Sequence, residues 1–221
     1  MSRGIDDTSK GARATIAELA KSSFANHRLS WDAAGHYWRC SDPKRGFHWF
    51  HVFTAPFYIV LWGDNGDVVL RVSDRDSLGW LLSASSLDYF VGKITACDNP
   101  GKEEFYPGDA KVYIDDMISQ YPVTDDDGEE DEHNKRYVEK LQAVLKQFTD
   151  GVYDDDPARV WAEAWQDHIG DGDIPDLCGP SSTALWAWES VLTFRRLHAA
   201  GVIVDGVWTP PAADGTVSTG A

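Results

Sequence analysis

Residues 57–72 constrain the fold more than any other segment. Two runs rich in aromatic and β-branched residues, Phe57–Trp62 and Val68–Val72, flank Asp64-Asn65-Gly66-Asp67. Asn-Gly tolerates the positive φ that a type I′ turn needs at both central positions, so this segment predicts a tight β-hairpin. With Asn65-Gly66 as a two-residue loop, Trp62 pairs with Val69, Leu61 with Leu70 and Ile59 with Val72. His36–Cys40 and Phe47–Thr54 read as further strands, the second ending at Ala55-Pro56. Together they predict a three- or four-stranded antiparallel meander.

Helices surround this β region. Ile16, Leu19 and Ala20 mark one face of a helix over 11–25. Ser73/Asp76 and Ser85/Asp88 have capping-box spacing, the second followed by an apolar face of Leu87, Phe90, Val91 and Ile94. A helix from about Asp109 carries Ile114, Met117, Ile118 and Tyr121. Another carries Tyr137, Leu141, Val144 and Phe148. A third opens with Asp156 as N-cap and Pro157 at the first helical position, then presents Val160, Trp161, Ala164 and Trp165 as core. The last starts near Ser181–Ser182, shows Leu185, Trp188 and Leu192, and stops at Gly201. Val202–Trp208 adds a short edge strand. The expected class is α+β: an α+β region over 1–100 with an antiparallel sheet, an acidic helical region over 101–208, and a disordered tail over 209–221.

Charge separates the two halves. Residues 1–100 hold 11 acidic and 11 basic side chains, whereas residues 101–221 hold 25 and 9. The whole net charge of −16 therefore falls in the second half. Such a surface repels nucleic acid and attracts basic partners. No apolar run reaches the roughly 20 residues of a membrane span, and Met1–Ala20 has no apolar core of a signal peptide. Three isolated cysteines, Cys40, Cys97 and Cys178, fit reduced thiols. The expectation is a soluble cytoplasmic protein without a membrane partner.

No motif supplies chemistry. GxSxG and Gly-rich phosphate loops are absent. His36 and Cys40, four apart on a strand, lie about 13 Å from each other and cannot share one zinc. Asp171-Gly172-Asp173-Ile174-Pro175-Asp176 has Ser182, not Glu, at the twelfth position of a calcium loop. The reading is that no metal or cofactor is held, with a His/Asp metal-dependent hydrolase as the remaining enzymatic alternative.

Two binding readings follow. The acidic clusters Asp125, Asp126, Asp127, Glu129, Glu130, Asp131 and Glu132, then Asp154, Asp155 and Asp156, would meet a basic protein surface. Trp186 serves as an exposed anchor, since Leu185, Trp188 and Leu192 define the apolar side of its helix. Alternatively Tyr37, Arg39, Lys44, Arg45 and Trp49 would hold a nucleotide signal. Strand alternation puts Tyr37 and Arg39 on one face and His36, Trp38 and Cys40 on the other. In the next strand His51 goes with Trp49 and Phe53, and His48 with Phe50 and Val52. This divides the basic and aromatic groups between two packed faces, with Lys44-Arg45-Gly46 as an exposed turn.

Tyr37-Trp38-Arg39-Cys40-Ser41-Asp42-Pro43, Phe47–Phe53 and Val60-Leu61-Trp62-Gly63-Asp64-Asn65-Gly66-Asp67 resemble a diffuse group of uncharacterised phage and prophage accessory proteins. These carry a WRC-x-x-P strand, an aromatic strand and a G-D-x-G hairpin followed by a short helix. The likeness covers residues 36–92 and carries no catalytic set. It implies a small phage accessory protein, a class that often blocks host defences. With the acidic half, the expected function is non-catalytic inhibition of a host defence complex, anti-CRISPR or similar. The acidic half would not bind nucleic acid directly, and a homodimer is compatible with the sequence.

Overall fold

The computed structural model describes residues 7–32, 37–98, 101–124, 130–152, 156–170, 172–204 and 207–209. It is α+β, as the patterning predicts. The chain forms two compact units, one of 1–12 with 104–179 and one of 13–103 with 180–221. This differs from a division near residue 100. Residues 180–209 belong with the sheet, because their helix and strands supply its cover and its edge.

The elements are α1 (Ser9–Ser23), β1 (Arg28–Asp32), β2 (Tyr37–Ser41), β3 (Phe50–Ala55), β4 (Tyr58–Gly63), β5 (Val68–Arg71), α2 (Ser77–Ser83), α3 (Leu87–Val91), β6 (Ile94–Cys97), β7 (Glu103–Phe105), α4 (Pro107–Ser119), α5 (Glu132–Gly151), α6 (Pro157–His168), β8 (Cys178–Pro180), α7 (Ser182–Ala200), β9 (Val202–Val204) and β10 (Val207–Thr209). Strands β7 and β8 pair as a separate ribbon.

The sheet is larger than a four-stranded meander. Its order is β10-β9-β1-β2-β3-β4-β5-β6, antiparallel throughout except for β1 beside β9. One face is the core: Leu29, Trp38, Cys40, Phe50, Val52, Ile59, Leu61, Val68 and Leu70 are all buried. Helix α7 covers it. Trp38 meets Phe194 at 5.6 Å between ring centroids, and Phe90 meets Trp188 at 5.4 Å. Leu192, placed on the apolar side by spacing, is instead 38% exposed, while Ala184, Ala187, Val191 and Phe194 are buried with Leu185 and Trp188. Leu19 of α1 is likewise outside, at 51% exposure, with Ile16 and Ala20 buried.

The Asn65-Gly66 hairpin forms in a different register. Ile59 pairs with Leu70 and Leu61 with Val68, and four residues, 64–67, lie between the ends of the two strands. In that loop only Gly66 takes positive φ, 101°, so Asn65 does not form the I′ turn. The Gly63 N–H donates to Asp67 Oδ1 at 3.2 Å, and the Asp67 N–H donates to Asp98 Oδ2 at 3.0 Å. The acids thus pin the loop, and a two-residue slip keeps every side chain on its face. Helix caps are also displaced from the spacing: Asp76 and Ser86 cap α2 and α3. Ile94 leaves the helix and enters β6.

The other unit is built from α4, α5 and α6 around Ala110, Ile114, Leu141, Val144, Phe148, Val160, Trp161, Ala164 and Trp165. Trp161 Nε1 donates to the Pro175 carbonyl at 3.1 Å, so the buried indole is satisfied. Asp156 caps α6 ahead of Pro157, as the sequence implies. The tail over 209–221 lies outside the described residues apart from Thr209 in β10.

Candidate functional site

The acidic excess coincides with one structural unit. The unit of 1–12 and 104–179 holds 23 acidic against 8 basic residues, a net of −15, and the sheet unit holds 13 against 12, a net of −1. Four of the helical unit's cations are engaged on its own surface: Lys111 with Asp115, Lys135 with Glu130, Lys146 with Asp150 and Arg159 with Glu163. With 8 cations against 23 acids, the unit's own charges cannot balance.

Of the predicted acidic residues, Glu130, Asp131, Glu132 and Asp156 are described; Asp125, Asp126, Asp127, Glu129, Asp154 and Asp155 lie outside the described residues. Two of the four also hold the fold. Asp131 caps α5, accepting from the His133 and Asn134 N–H groups at 2.9 and 3.0 Å, and Asp156 accepts from the Arg159 N–H at 3.1 Å. Glu130 and Glu132 are open to solvent, both near Lys135. Lys135 is held above the usual lysine value by its hydrogen bond to Glu130 and the charges of both acids.

Trp186 is not the exposed anchor that spacing implies. It is half-buried in the sheet unit, stacked on His48 at 5.8 Å and edge-on to Phe24 at 5.9 Å. Helix α7 is buried on several sides, so no single stripe defines its outside.

The sheet brings together what alternation alone divides. Register sets Arg39 opposite His51 and His51 opposite Trp62; Tyr37 lies opposite Phe53, and Phe53 opposite Val60. Tyr37, Arg39, His51, Phe53, Val60 and Trp62 therefore share the face away from α7. Ring contacts bind the group: His51 stacks on Trp62 at 4.8 Å and meets Trp49 edge-on at 5.2 Å, and Tyr37 lies 5.7 Å from His51. Burial, then the Arg39 charge, lowers the His51 pKa. This face is half-buried rather than packed, which corrects the expectation of a sheet covered on both sides. Lys44 and Arg45 stand beyond the Ser41 end of β2 in the exposed connection to β3, and Arg45 lies over the Phe47 ring at 5.9 Å. His51, Phe53 and Trp62 are not joined to Tyr37 and Arg39 by the sequence, because alternation gives faces within a strand and only the β2–β3 and β3–β4 registers relate one strand to the next.

Cys40 is buried, and burial pushes its thiol far above the usual range. Among the described residues no group of three His, Cys, Asp or Glu side chains is placed to hold a metal ion. No helix among them is long and apolar enough to cross a membrane. No protein-family model matches the chain, and no curated protein or solved structure matches it either.

Proposed function

We propose that this chain is a non-catalytic binding protein of phage type, whose acidic helical unit occupies a basic, nucleic-acid-binding surface of a host defence complex, as an anti-CRISPR inhibitor does. The observation that supports this reading is the segregation of charge: −15 on one compact unit and −1 on the other. A folded domain of that charge presents an anionic surface to a groove built for phosphates, steers encounter and excludes the nucleic acid. The likeness of residues 36–92 to phage accessory proteins supports the setting. The partner is a basic protein surface in the host cytosol.

The experiment compares the wild-type chain with a variant carrying Glu130→Gln, Asp131→Asn, Glu132→Gln and Asp156→Ser. Asn and Ser keep the two caps while removing charge. Both proteins serve as bait for a host defence complex between roughly 50 and 200 mM salt. Wild type is expected to capture the complex at low salt, release it at high salt and displace its nucleic acid; the variant binds weakly throughout. Equal binding and equal salt dependence would sink the proposal.

A further inference from the structure

An antiparallel sheet with helices on one face ordinarily turns polar residues to the other. At its centre this sheet does not. Away from α7 it presents Tyr37, His51, Phe53, Tyr58, Val60 and Trp62, with Tyr58 45% exposed. Its formal charge is equally unusual for so acidic a chain. Register puts Arg28, Arg39 and Arg71 on this same face, all three exposed. Among the described strand side chains that register places on this face, none is acidic. Arg28 also lines a cleft of about 590 Å³ with Lys44, Asn26 and Asp42, where Asp42 Oδ1 accepts the Lys44 N–H at 2.8 Å.

We infer that this face is a platform for single-stranded nucleic acid, with bases stacked on the aromatic centre and the backbone tracked by the arginines at its margins. Aromatic rings take any base by its π-face, and guanidinium groups meet phosphates. The geometry favours a strand over a free nucleotide. Arg28 on β1 and Arg71 on β5 are four strand spacings apart, about 19 Å across the sheet alone, so one mononucleotide cannot reach both and a strand of several nucleotides can. The face is also open, whereas small ligands are held in enclosing pockets. His51 adds to the stacking surface as a neutral ring, because burial and Arg39 lower its pKa. The site lies on the near-neutral unit, and the carboxylates that set the net charge belong to the other. It is independent of the acidic-surface reading above.

The test measures fluorescence anisotropy of a labelled twelve-nucleotide oligothymidylate titrated with the full chain at low salt. Unlabelled duplex of the same length and thymidine monophosphate act as competitors. Wild type is expected to bind the single strand, with duplex and mononucleotide competing at least tenfold less well. Tyr37→Ala should weaken binding at least fivefold. Arg39→Glu alters an exposed side chain and leaves the core face untouched; it should weaken binding as much, with an unchanged thermal midpoint. Three phosphate contacts predict a logarithmic salt slope of about −2. The variant neutralised at Glu130, Asp131, Glu132 and Asp156 should keep full oligonucleotide binding, which separates this site from the acidic one. Absence of binding by wild type overturns the inference. So does binding unchanged in Arg39→Glu, or equal competition by the mononucleotide. Self-association through this face without oligonucleotide binding overturns it as well.

Discussion

Phe57 closes the β3–β4 turn in a conformation that side chains avoid. Its φ is 69°, with Pro56 before it and Ala55 paired with Tyr58 across the turn. Pro followed by a residue of positive φ is the pattern of a type II turn, whose second central position favours glycine. A non-glycine residue held there costs about 1–3 kcal/mol. Its ring is 44% exposed and recovers only part of that. Phe57→Gly is therefore expected to raise stability by about 1 kcal/mol, even though glycine adds unfolded-state entropy; a urea titration reads the shift in midpoint. Gly66 is the opposite case. Its φ is 101°, and an added Cβ would meet Thr183 Cγ2 at 2.7 Å. Gly66→Ala should lower stability by about 1–3 kcal/mol in the same titration. The sequence shows both turns through Pro56 and Asn65-Gly66. It does not show which residue takes positive φ, because that depends on how Asp67, Asp98 and α7 hold the loop from outside.

At the scale of elements, caps and faces differ in how local their causes are. The cap of α6 is local: Asp156 and Pro157 identify it in the sequence, and the Arg159 N–H finds the Asp156 carboxylate. Asp156→Ala should cost about 1 kcal/mol and Asp156→Ser close to nothing, measured by thermal melting. Loss of stability in Asp156→Ser as well would show that its charge, and not its cap, supports the helix. Helix α7 is the reverse case. It is buried along several stripes, with Thr183, Ser190 and His198 buried beside Val191 and Phe194. A single apolar stripe is the signal that periodicity detects, and that signal puts Leu192 inside and Trp186 outside. Phe194 packs edge-on to Trp38, and Phe194→Ala is expected to cost about 3–5 kcal/mol. The aromatic sheet face was half legible for a related reason. Tyr37 with Arg39, and His51 with Trp49 and Phe53, follow from alternation within strands. Joining those two sets requires the register across 42–49, and His48 turns the chain there with φ of 60°.

Over the whole molecule, stability should depend on pH through histidines that folding takes out of water. His27, His51 and His198 all have lowered pKa values, with burial as the largest cause. His27 and His198 are buried outright, and His198 Nε2 has no hydrogen-bond partner. The sign follows from proton counting. As pH falls through the ordinary histidine value, the unfolded chain takes up protons that the folded chain refuses. Stability is then complete above the unfolded pKa and declines below it, until the folded groups titrate in turn. The acidic unit acts in the other direction, since protonating carboxylates relieves its self-repulsion. Carboxylates titrate near pH 4, however, so between about pH 7 and pH 5.5 the histidines dominate. The thermal midpoint should fall over that interval. In His198→Leu the fall should be shallower, because one refusing site has been removed without placing a charge in the core. If the two proteins lose stability in parallel, protonation of His198 is not what the fold resists, and the decline belongs to His27 and His51; His27→Leu would then be the variant that flattens it.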